Sequence, residues 1–491
     1  MRESIDIADP TLRRAGQLGK LRGLRVFVVG GFVRDKLLGH PVTDIDLMVE
    51  GSGPDFARML ASDLNVAPPV VYEKFGTALL QHDNRKVEVV GARKEHYIRG
   101  SRNPSVEPGT VAEDLSRRDF TVNAMAAELD GGMTGGIIDP FDGRKDLEAK
   151  LLRTPVDPES TLDDDPLRMM RAARFASQLG FKVDRRLLEA IAKMCQRITI
   201  VSQERITDEI MKILASRRPS TGLQILFDTG LLKIVFPEVA ELSGVDQRRE
   251  YHHKDVFLHT LKVVDNISES TDKIWLRVAA LFHDIAKPAT KAFIEGTGWT
   301  FHGHEEMGAR MVKGLFRRLR LPTDHLGYVA KLVRLHLRPM ALVDEGVTDS
   351  AVRRLMFDAG PDLDDLMTLC RADITSKNPQ LVDQVKKNYN LVLEKMKEVE
   401  ERDRIRNWQP PLRGDEIMKV CSLEPGPLVG VLKDEITDAV LDGRIPNDHD
   451  AALAYLLAVK DRVIEAGVAG KIGKAPSPQK FPADGNNRQV R

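Results

Sequence analysis

The first 150 residues alternate short runs of β-branched and aromatic residues with turns. Val26–Val29, Ile45–Val49 and Val87–Val90 each read as a strand, so this part is expected to be α/β. A turn-rich stretch follows over Arg153–Pro166, with Thr154-Pro155, Asp157-Pro158 and three consecutive Asp before Pro166. Beyond it apolar positions recur about every 3.6 residues almost to the end, which predicts a mostly helical body. Phe236-Pro237 and the charged run Asp246–Glu250 suggest another boundary, after which eight of the twelve histidines fall between His252 and His336. Lys471–Arg491 combines Pro, Gly and Asn with five basic residues and one acidic residue, so little to bury that disorder is expected. The sequence carries no internal repeat. These patterns divide the chain into 1–153, 154–240, 241–378, 379–470 and 471–491, whereas 491 residues at about 150 per domain imply about three domains.

Apolar residues make up 42% and charged residues 30%, a globular balance that excludes a fibrous or wholly disordered chain. No apolar run approaches the roughly 18 residues of a membrane span. Glu3, Asp6 and Asp9 stand where a signal peptide would be basic and then apolar, so a cytoplasmic protein without membrane contact is expected. Lys+Arg and Asp+Glu are both 73, which leaves a local patch as the only means of holding a polyanion. Cys195, Cys370 and Cys421 fit no metal or disulfide spacing and are expected to be buried packing residues in a reducing compartment.

The run Val26–Val29 stops at Gly30-Gly31, and Phe32 to Leu38 then has helical spacing up to Gly39. A strand, a tight glycine turn and a helix N-terminus let backbone N–H groups approach a phosphate, although such a turn is more often only a turn. Asp44 and Asp46 flank Ile45 at the start of the next strand. Residues two apart in a strand share a face, so two such carboxylates can hold two Mg²⁺ ions that activate a hydroxyl and stabilise leaving pyrophosphate. The plain alternative is a solvent-facing strand edge. Glu88, in Val87–Val90, is a third candidate carboxylate or an ordinary solvated strand residue.

Gly30-Gly31-x-x-Arg34-Asp35-x-x-x-Gly39 followed by Asp44-x-Asp46 resembles the first motif of the class II tRNA nucleotidyltransferase and bacterial poly(A) polymerase family, within the DNA polymerase beta superfamily. Arg117-Arg118-Asp119-Phe120-Thr121-Val122-Asn123-Ala124 and Asp139-Pro140-Phe141-Asp142-Gly143 resemble its next two motifs, in order. The resemblance implies an α+β protein, with a polymerase-beta-type nucleotidyltransferase α/β head followed by a mostly helical body that includes an HD domain. It implies that Gly31, Arg34 and Arg118 touch the nucleotide beside Gly30, that Asp44 and Asp46 hold the metals, and that Asp119 and Asn123 lie on the ribose side.

Asp165-Pro166 opens the helical pattern that follows, with Asp165 expected as N-cap and Pro166 as first helical residue. Asp165, Arg168, Arg171 and Arg174 recur every three residues, so their side chains are expected to neighbour one another. A solvated basic face is the plain reading. A sharper one is that cytosine and adenine each show an amino donor beside a ring-nitrogen acceptor, which a carboxylate and a guanidinium side by side can pair, whereas guanine and uracil leave them unsatisfied. Asp164-Asp165-Pro166-Leu167-Arg168 resembles the family's amino-acid template, with Asp where Glu is usual at its first position. Arg171 and Arg174 match family arginines that contact the nucleotide.

His259, His283-Asp284 and Asp373 stand in the order H, HD, D, with His304 and His336 between, in segments that read as helices over Val256–Ile267, Trp275–Ile285 and Asp362–Ser376. Imidazoles with carboxylates suit a transition metal such as Mn, Co, Ni or Zn that makes water nucleophilic toward a phosphate ester. Asp255-Val256-x-x-His259-Thr260 and His283-Asp284-Ile285-Ala286-Lys287-Pro288 resemble an HD-type phosphohydrolase domain, active or kept as a scaffold, with His304 and His336 candidates for a second metal. Between Gly308 and Arg338 eight Lys or Arg face one Asp, a concentration that can hold an RNA backbone or serve solubility. Leu412–Asn447 also resembles HD-bearing family members.

The resemblance implies an enzyme that adds CCA, or part of it, to tRNA 3′ ends from CTP and ATP, with Mg²⁺ in the head and no stable protein partner. A poly(A) polymerase shares all these motifs. The reading from another class is an HD phosphohydrolase with a vestigial first domain.

Overall fold

The computed structural model describes residues 3–42, 44–73, 76–96, 105–245, 255–295, 298–344, 348–375, 379–403 and 410–468. They fall into two compact units, 1–334 and 335–491. The expected boundary run Asp246–Glu250 and the expected tail Lys471–Arg491 lie outside the described residues.

The first unit is built on an eight-stranded sheet. Its strands in chain order are β1 (Ser4–Asp6), β2 (Val26–Val29), β3 (Ile45–Val49), β4 (Val70–Tyr72), β5 (Thr77–His82), β6 (Arg85–Gly91), β7 (Ala126–Leu129) and β8 (Thr134–Ile138), and they lie side by side as β1-β8-β7-β2-β3-β6-β5-β4. The three strands expected from the apolar runs are its centre. β2 is fully buried along its length, as a continuous Val-Phe-Val-Val run covered on both faces requires. On one face Phe27, Val29 and Met48 pack with Val111, Leu115, Ala124 and Ala126. On the other lies helix Pro10–Arg22, capped by Asp9, whose side chain accepts hydrogen bonds from the N–H groups of Thr11 and Leu12. Gly16 lets this helix sit against the sheet, for a Cβ there would come within 2.5 Å of the Gly131 nitrogen. β3 pairs antiparallel with β2 and parallel with β6, a register that sets Asp46 directly opposite Glu88.

The stretch expected to be turns, Arg153–Pro166, contains a helix over Pro158–Asp164. Asp157 caps it by accepting from the Ser160 N–H, and Pro158 is its first residue, so the Asp-Pro pair is a helix start and not only a break. Helix Leu167–Leu179 then buries Met169, Met170, Ala172, Ala173 and Ala176 against helices Gln203–Leu214 and Pro219–Asp228. The HD-like segment begins with helices Val256–Ser270 and Ile274–Phe282. A hairpin absent from the sequence reading, Ala292–Ile294 with Gly298–Thr300, precedes helix His304–Arg318.

The second unit is all helical in its described residues, with Asp349–Ala359, Leu363–Asp373, Pro379–Asp403, Gly414–Cys421, Pro427–Leu441 and His449–Val468 as its main elements. Leu412, Ile417, Leu432, Ile436, Ala452 and Leu456 form one of its cores. Of the cysteines only Cys370 is buried as expected; Cys195 and Cys421 are half-buried, because each ends a helix instead of facing its core. Among the described residues no helix is long and apolar enough to cross a membrane.

Candidate active site and metal cluster

β2 runs into Gly30, whose φ of 68° and ψ of −124° lie where side chains are disfavoured, and a Cβ there would come within 2.7 Å of Arg118 Nη1. The chain then turns directly into helix Gly31–Leu38, whose first N–H groups have no partner within the helix. Gly30, Gly31 and Arg34 border a cavity of about 550 Å³ together with Asp44, Asp46, Glu88, Arg118, Asp119, Asn123, Asp165, Arg168, Arg171 and Arg174. The residues between 30 and 174 to which the sequence reading gives a nucleotide or magnesium role therefore meet at one place, whereas Gly39, Asp139 to Gly143 and Asp164, quoted in the same motifs, do not border it.

Asp46 lies in β3, whereas Asp44 precedes the strand by one residue. Burial raises the Asp46 pKa above the ordinary carboxylate value, Arg118 opposes the shift and Asp44 adds to it. Glu88 opens to the cavity, yet desolvation and the neighbouring Asp46 raise it too, against Arg93 and Arg118. Two carboxyls raised in this way, with Asp44 beside them, are a donor set suited to a hard cation such as Mg²⁺.

A polar chain links the glycine turn to helix Leu167–Leu179, which follows the head as its neck helix. Arg34 holds Asp35 through Nε and Nη2, both at 2.8 Å, and donates from Nη1 to Asn123 Oδ1 at 2.6 Å. Asn123 Nδ2 donates to Asp119 Oδ1 at 3.0 Å, and Asp119 Oδ2 receives Arg171 Nε at 2.7 Å and Nη2 at 2.5 Å. Burial alone would raise the Asp119 pKa; Arg171 and the Asn123 hydrogen bond outweigh it and bring it down to about 2. Beneath this chain Asp114, wholly buried, accepts from both Arg117 and Arg118, Nη2 to carboxylate at 2.5 and 3.1 Å, which orients Arg118 toward Gly30.

The neck helix differs from the expectation in its detail. It begins at Leu167, with Pro166 in the cap position, and Asp165 Oδ1 accepts from the Leu167 N–H at 3.2 Å. The ion pair of Asp165 is with Arg205 at 3.3 Å and not with Arg168. Arg168 is held by backbone, Nη1 to the Thr161 carbonyl at 3.0 Å and Nη2 to the Arg117 carbonyl at 2.5 Å. The cause is that Asp165 lies outside the helix, at φ −140°, so the three-residue periodicity does not extend to it. Arg174 pairs with buried Glu209 at 2.6 Å, and the guanidiniums of Arg34, Arg171 and Arg174 surround the Phe175 ring, 4.0 to 5.4 Å from its centroid. Arg93, Gln178 and Arg205 also border the cavity and were missed in the sequence, where none falls in a recognisable motif, as does Arg117, the first residue of the second motif, to which no role was given.

Within the first unit four residues of the histidine-rich segment converge. His283 and Asp284 stand just past the end of helix Ile274–Phe282, one helical turn short of the expected Ile285. Asp284 Oδ2 lies 3.5 Å from His259 Nε2 and 3.2 Å from His283 Nε2, Asp284 Oδ1 lies 3.3 Å from His304 Nε2, and the His259 and His283 Nε2 atoms are 3.4 Å apart. His283 Nδ1 donates to the Ala280 carbonyl at 2.7 Å and His304 Nδ1 to the Phe301 carbonyl at 2.8 Å, which turns both Nε2 atoms toward Asp284. Against its burial, His283 and Lys287 hold the Asp284 carboxyl well below the ordinary range. Imidazole nitrogens oriented by backbone carbonyls around a buried carboxylate fit a transition metal. His336 and Asp373 belong to the second unit, where Cys370 Sγ lies 2.9 Å from the His336 carbonyl oxygen and Asp373 ends helix Leu363–Asp373. In the basic stretch, Arg318 pairs with Glu238, and Arg320 with Glu204 at 3.8 Å.

Residues 26–153 match the poly A polymerase head domain family, 180–242 the family described as a probable RNA and SrmB-binding site of polymerase A, and 250–378 the HD domain family. The multifunctional CCA protein of Dechloromonas aromatica is 36% identical over 321 residues, 64% of this chain and 74% of its own length. That of Methylococcus capsulatus is 36% identical over 340 residues, 65% of this chain and 76% of its own. A solved tRNA nucleotidyltransferase complexed with a primer tRNA and an incoming ATP analog has a TM-score of 0.56 at 25% identity, covering 79% of this chain and 99% of its own. The CCA-adding enzyme of Bacillus stearothermophilus, solved in complex with CTP, has a TM-score of 0.60 at 24% identity over 94% of this chain and 100% of its own, a likeness of fold.

Proposed function

Because the chain belongs to the family of the multifunctional CCA proteins, tRNA nucleotidyltransferases with a poly A polymerase head, we propose that it extends tRNA 3′ ends by CCA, or part of it, from CTP and ATP. The observation that carries this reading is the single cavity bordered by Asp44, Asp46, Arg118, Arg171 and Asp165. Asp44 and Asp46, with Glu88 beside them, hold two Mg²⁺ ions, which when bound lower the barrier by neutralising the triphosphate and acidifying the attacking hydroxyl. The residues of the chain do the positioning. The N–H groups opening helix Gly31–Leu38, with Arg34 and Arg118, receive the triphosphate. Asp119 and Asn123 take the ribose side, held by Arg171 and Arg34. The RNA 3′-hydroxyl attacks the α-phosphate in line, one P–O bond forms as another breaks, and pyrophosphate leaves.

Asp165 and Arg168 select the base. The Asp165 carboxylate accepts only, and Arg168, fixed by two carbonyls through two of its five N–H groups, donates only, a pattern that suits C and A. Arg174 and Phe175 close that side of the cavity. Incubating the protein with tRNAs ending before CCA, after C and after CC, each with CTP, ATP or both, tests the reading. Ordered addition that stops at CCA supports it, long A tails on any RNA favour a poly(A) polymerase, and no extension overturns it.

A second reading applies to the HD segment, on the observation that three imidazole nitrogens surround Asp284. His259, His283, Asp284 and His304 hold a transition metal, Mn, Co, Ni or Zn, which supplies a nucleophile for phosphate-ester hydrolysis. His336 and Asp373 join this reading on sequence order alone. Metal-dependent hydrolysis of 2′,3′-cyclic phosphates that is lost in His283→Ala supports it; unchanged turnover contradicts it.

A further inference from the structure

We propose that the open face of the sheet beyond Glu88 seats the terminal nucleotides of the RNA acceptor, with Tyr72 as the residue on which a base stacks. The inference rests on the nucleotidyl-transfer reading above and adds the place of the second substrate. Directly opposed residues of neighbouring strands point to one face, as do residues two apart. Asp46 is opposite Glu88, Glu88 opposite Leu79, and Leu79 opposite Val70, so the four form one row across β3, β6, β5 and β4. Tyr72 and Thr77, opposite each other, lie two residues along from Val70 and Leu79 and share that face. Ala78 and Leu80 point to the other face, where they are buried beside helix Gly53–Asp63.

Among the described residues nothing covers this end of the face that carries the carboxylates, with Val70 56% and Tyr72 48% exposed. It holds a hollow of about 440 Å³ lined by Tyr72, Thr77, Leu79, Glu88 and Arg93. Glu88 and Arg93 border the nucleotide cavity as well, so the two spaces adjoin at these side chains.

Sheet order gives the direction. β2, which delivers Gly30 and the triphosphate-binding turn, lies on one side of β3, while β6, β5 and β4 lie on the other. In-line attack brings the hydroxyl from the side away from the leaving pyrophosphate, and that side is the hollow. At about 4.8 Å per strand, β4 lies about 14 Å from β3, room for a terminal nucleotide and its neighbour. An exposed aromatic ring beside an arginine is the chemistry that holds single-stranded RNA, by stacking and by phosphate charge.

Steady-state kinetics of the full chain with a tRNA ending before CCA, CTP and Mg²⁺ test the proposal. Tyr72→Ala raises the KM for tRNA about tenfold or more while leaving the KM for CTP unchanged, and Tyr72→Phe restores the wild-type value. Val70→Glu, on the same row, raises the KM for tRNA, and Val70→Lys lowers it. An unchanged KM for tRNA in Tyr72→Ala and both Val70 variants overturns the proposal, as does a rise in the KM for CTP instead, or variants that alter only self-association through the exposed β4 edge. A wild-type protein that adds no nucleotide overturns the nucleotidyl-transfer reading itself.

Discussion

Arg171 places two N–H groups on one oxygen of Asp119, Nε at 2.7 Å and Nη2 at 2.5 Å, and so fastens the neck helix to the glycine-turn side of the head. Asp119 is 7% exposed, so removing its cation leaves a carboxylate without compensation. Arg171→Ala is expected to destabilise the protein by about 2–4 kcal/mol, measured by denaturant unfolding, and to lower kcat/KM for CTP and ATP at least a hundredfold. Arg171→Lys recovers part of the stability but little of the activity, since an ammonium cannot reproduce the two-N–H contact.

The same pair sets an acid limit. The folded pKa of Asp119, about 2, lies below its ordinary value of 3.8. A depressed carboxyl contributes stability that is complete above the ordinary value and is lost as pH falls toward the folded one. Wild-type stability is thus expected to fall between about pH 4 and pH 2 by about 2 kcal/mol more than that of Asp119→Asn, as followed by chemical denaturation across that range.

Gly30 is expected to tolerate no side chain. Its φ of 68° makes Gly30→Ala cost about 1–2 kcal/mol of stability, and the added Cβ, 2.7 Å from Arg118 Nη1, displaces the guanidinium. The KM for CTP and ATP should rise about tenfold, whereas Gly39→Ala, with no atom within 4 Å of its Cβ, should affect stability only.

Much of this site was legible in the sequence, and the parts that were not share a physical reason. The β2 strand, the Gly30 turn and helix Gly31–Leu38 are local, set by an apolar run and two glycines, and the structure has them where the pattern put them. The opposition of Asp46 and Glu88 depends on a parallel pairing between strands about forty residues apart, which periodicity does not encode. Helix Pro158–Asp164 was hidden because Pro and Asp mark both breaks and helix starts. Arg205 reaches Asp165 only through the packing of helix Gln203–Leu214 on helix Leu167–Leu179, so no local signal announces it.

Arg205 accordingly enters the question of base choice. By pairing with Asp165 at 3.3 Å it fixes the carboxylate proposed to accept from the base amino group. Arg205→Ala is expected to reduce discrimination of CTP over UTP about tenfold, read as the ratio of kcat/KM values, with a smaller loss in kcat/KM for CTP itself. An unaltered ratio would remove Arg205 from base selection.

The most direct measurement is nucleotide incorporation by the Asp44→Ala and Asp46→Ala proteins beside the wild type, with a tRNA lacking CCA, CTP, ATP and Mg²⁺, once circular dichroism has established that both variants are folded. The wild type is expected to complete the 3′ end and each variant to lose at least a thousandfold in rate. A folded variant that still incorporates CTP at the wild-type rate would contradict the assignment of these two carboxylates, and with it the nucleotidyl-transfer mechanism.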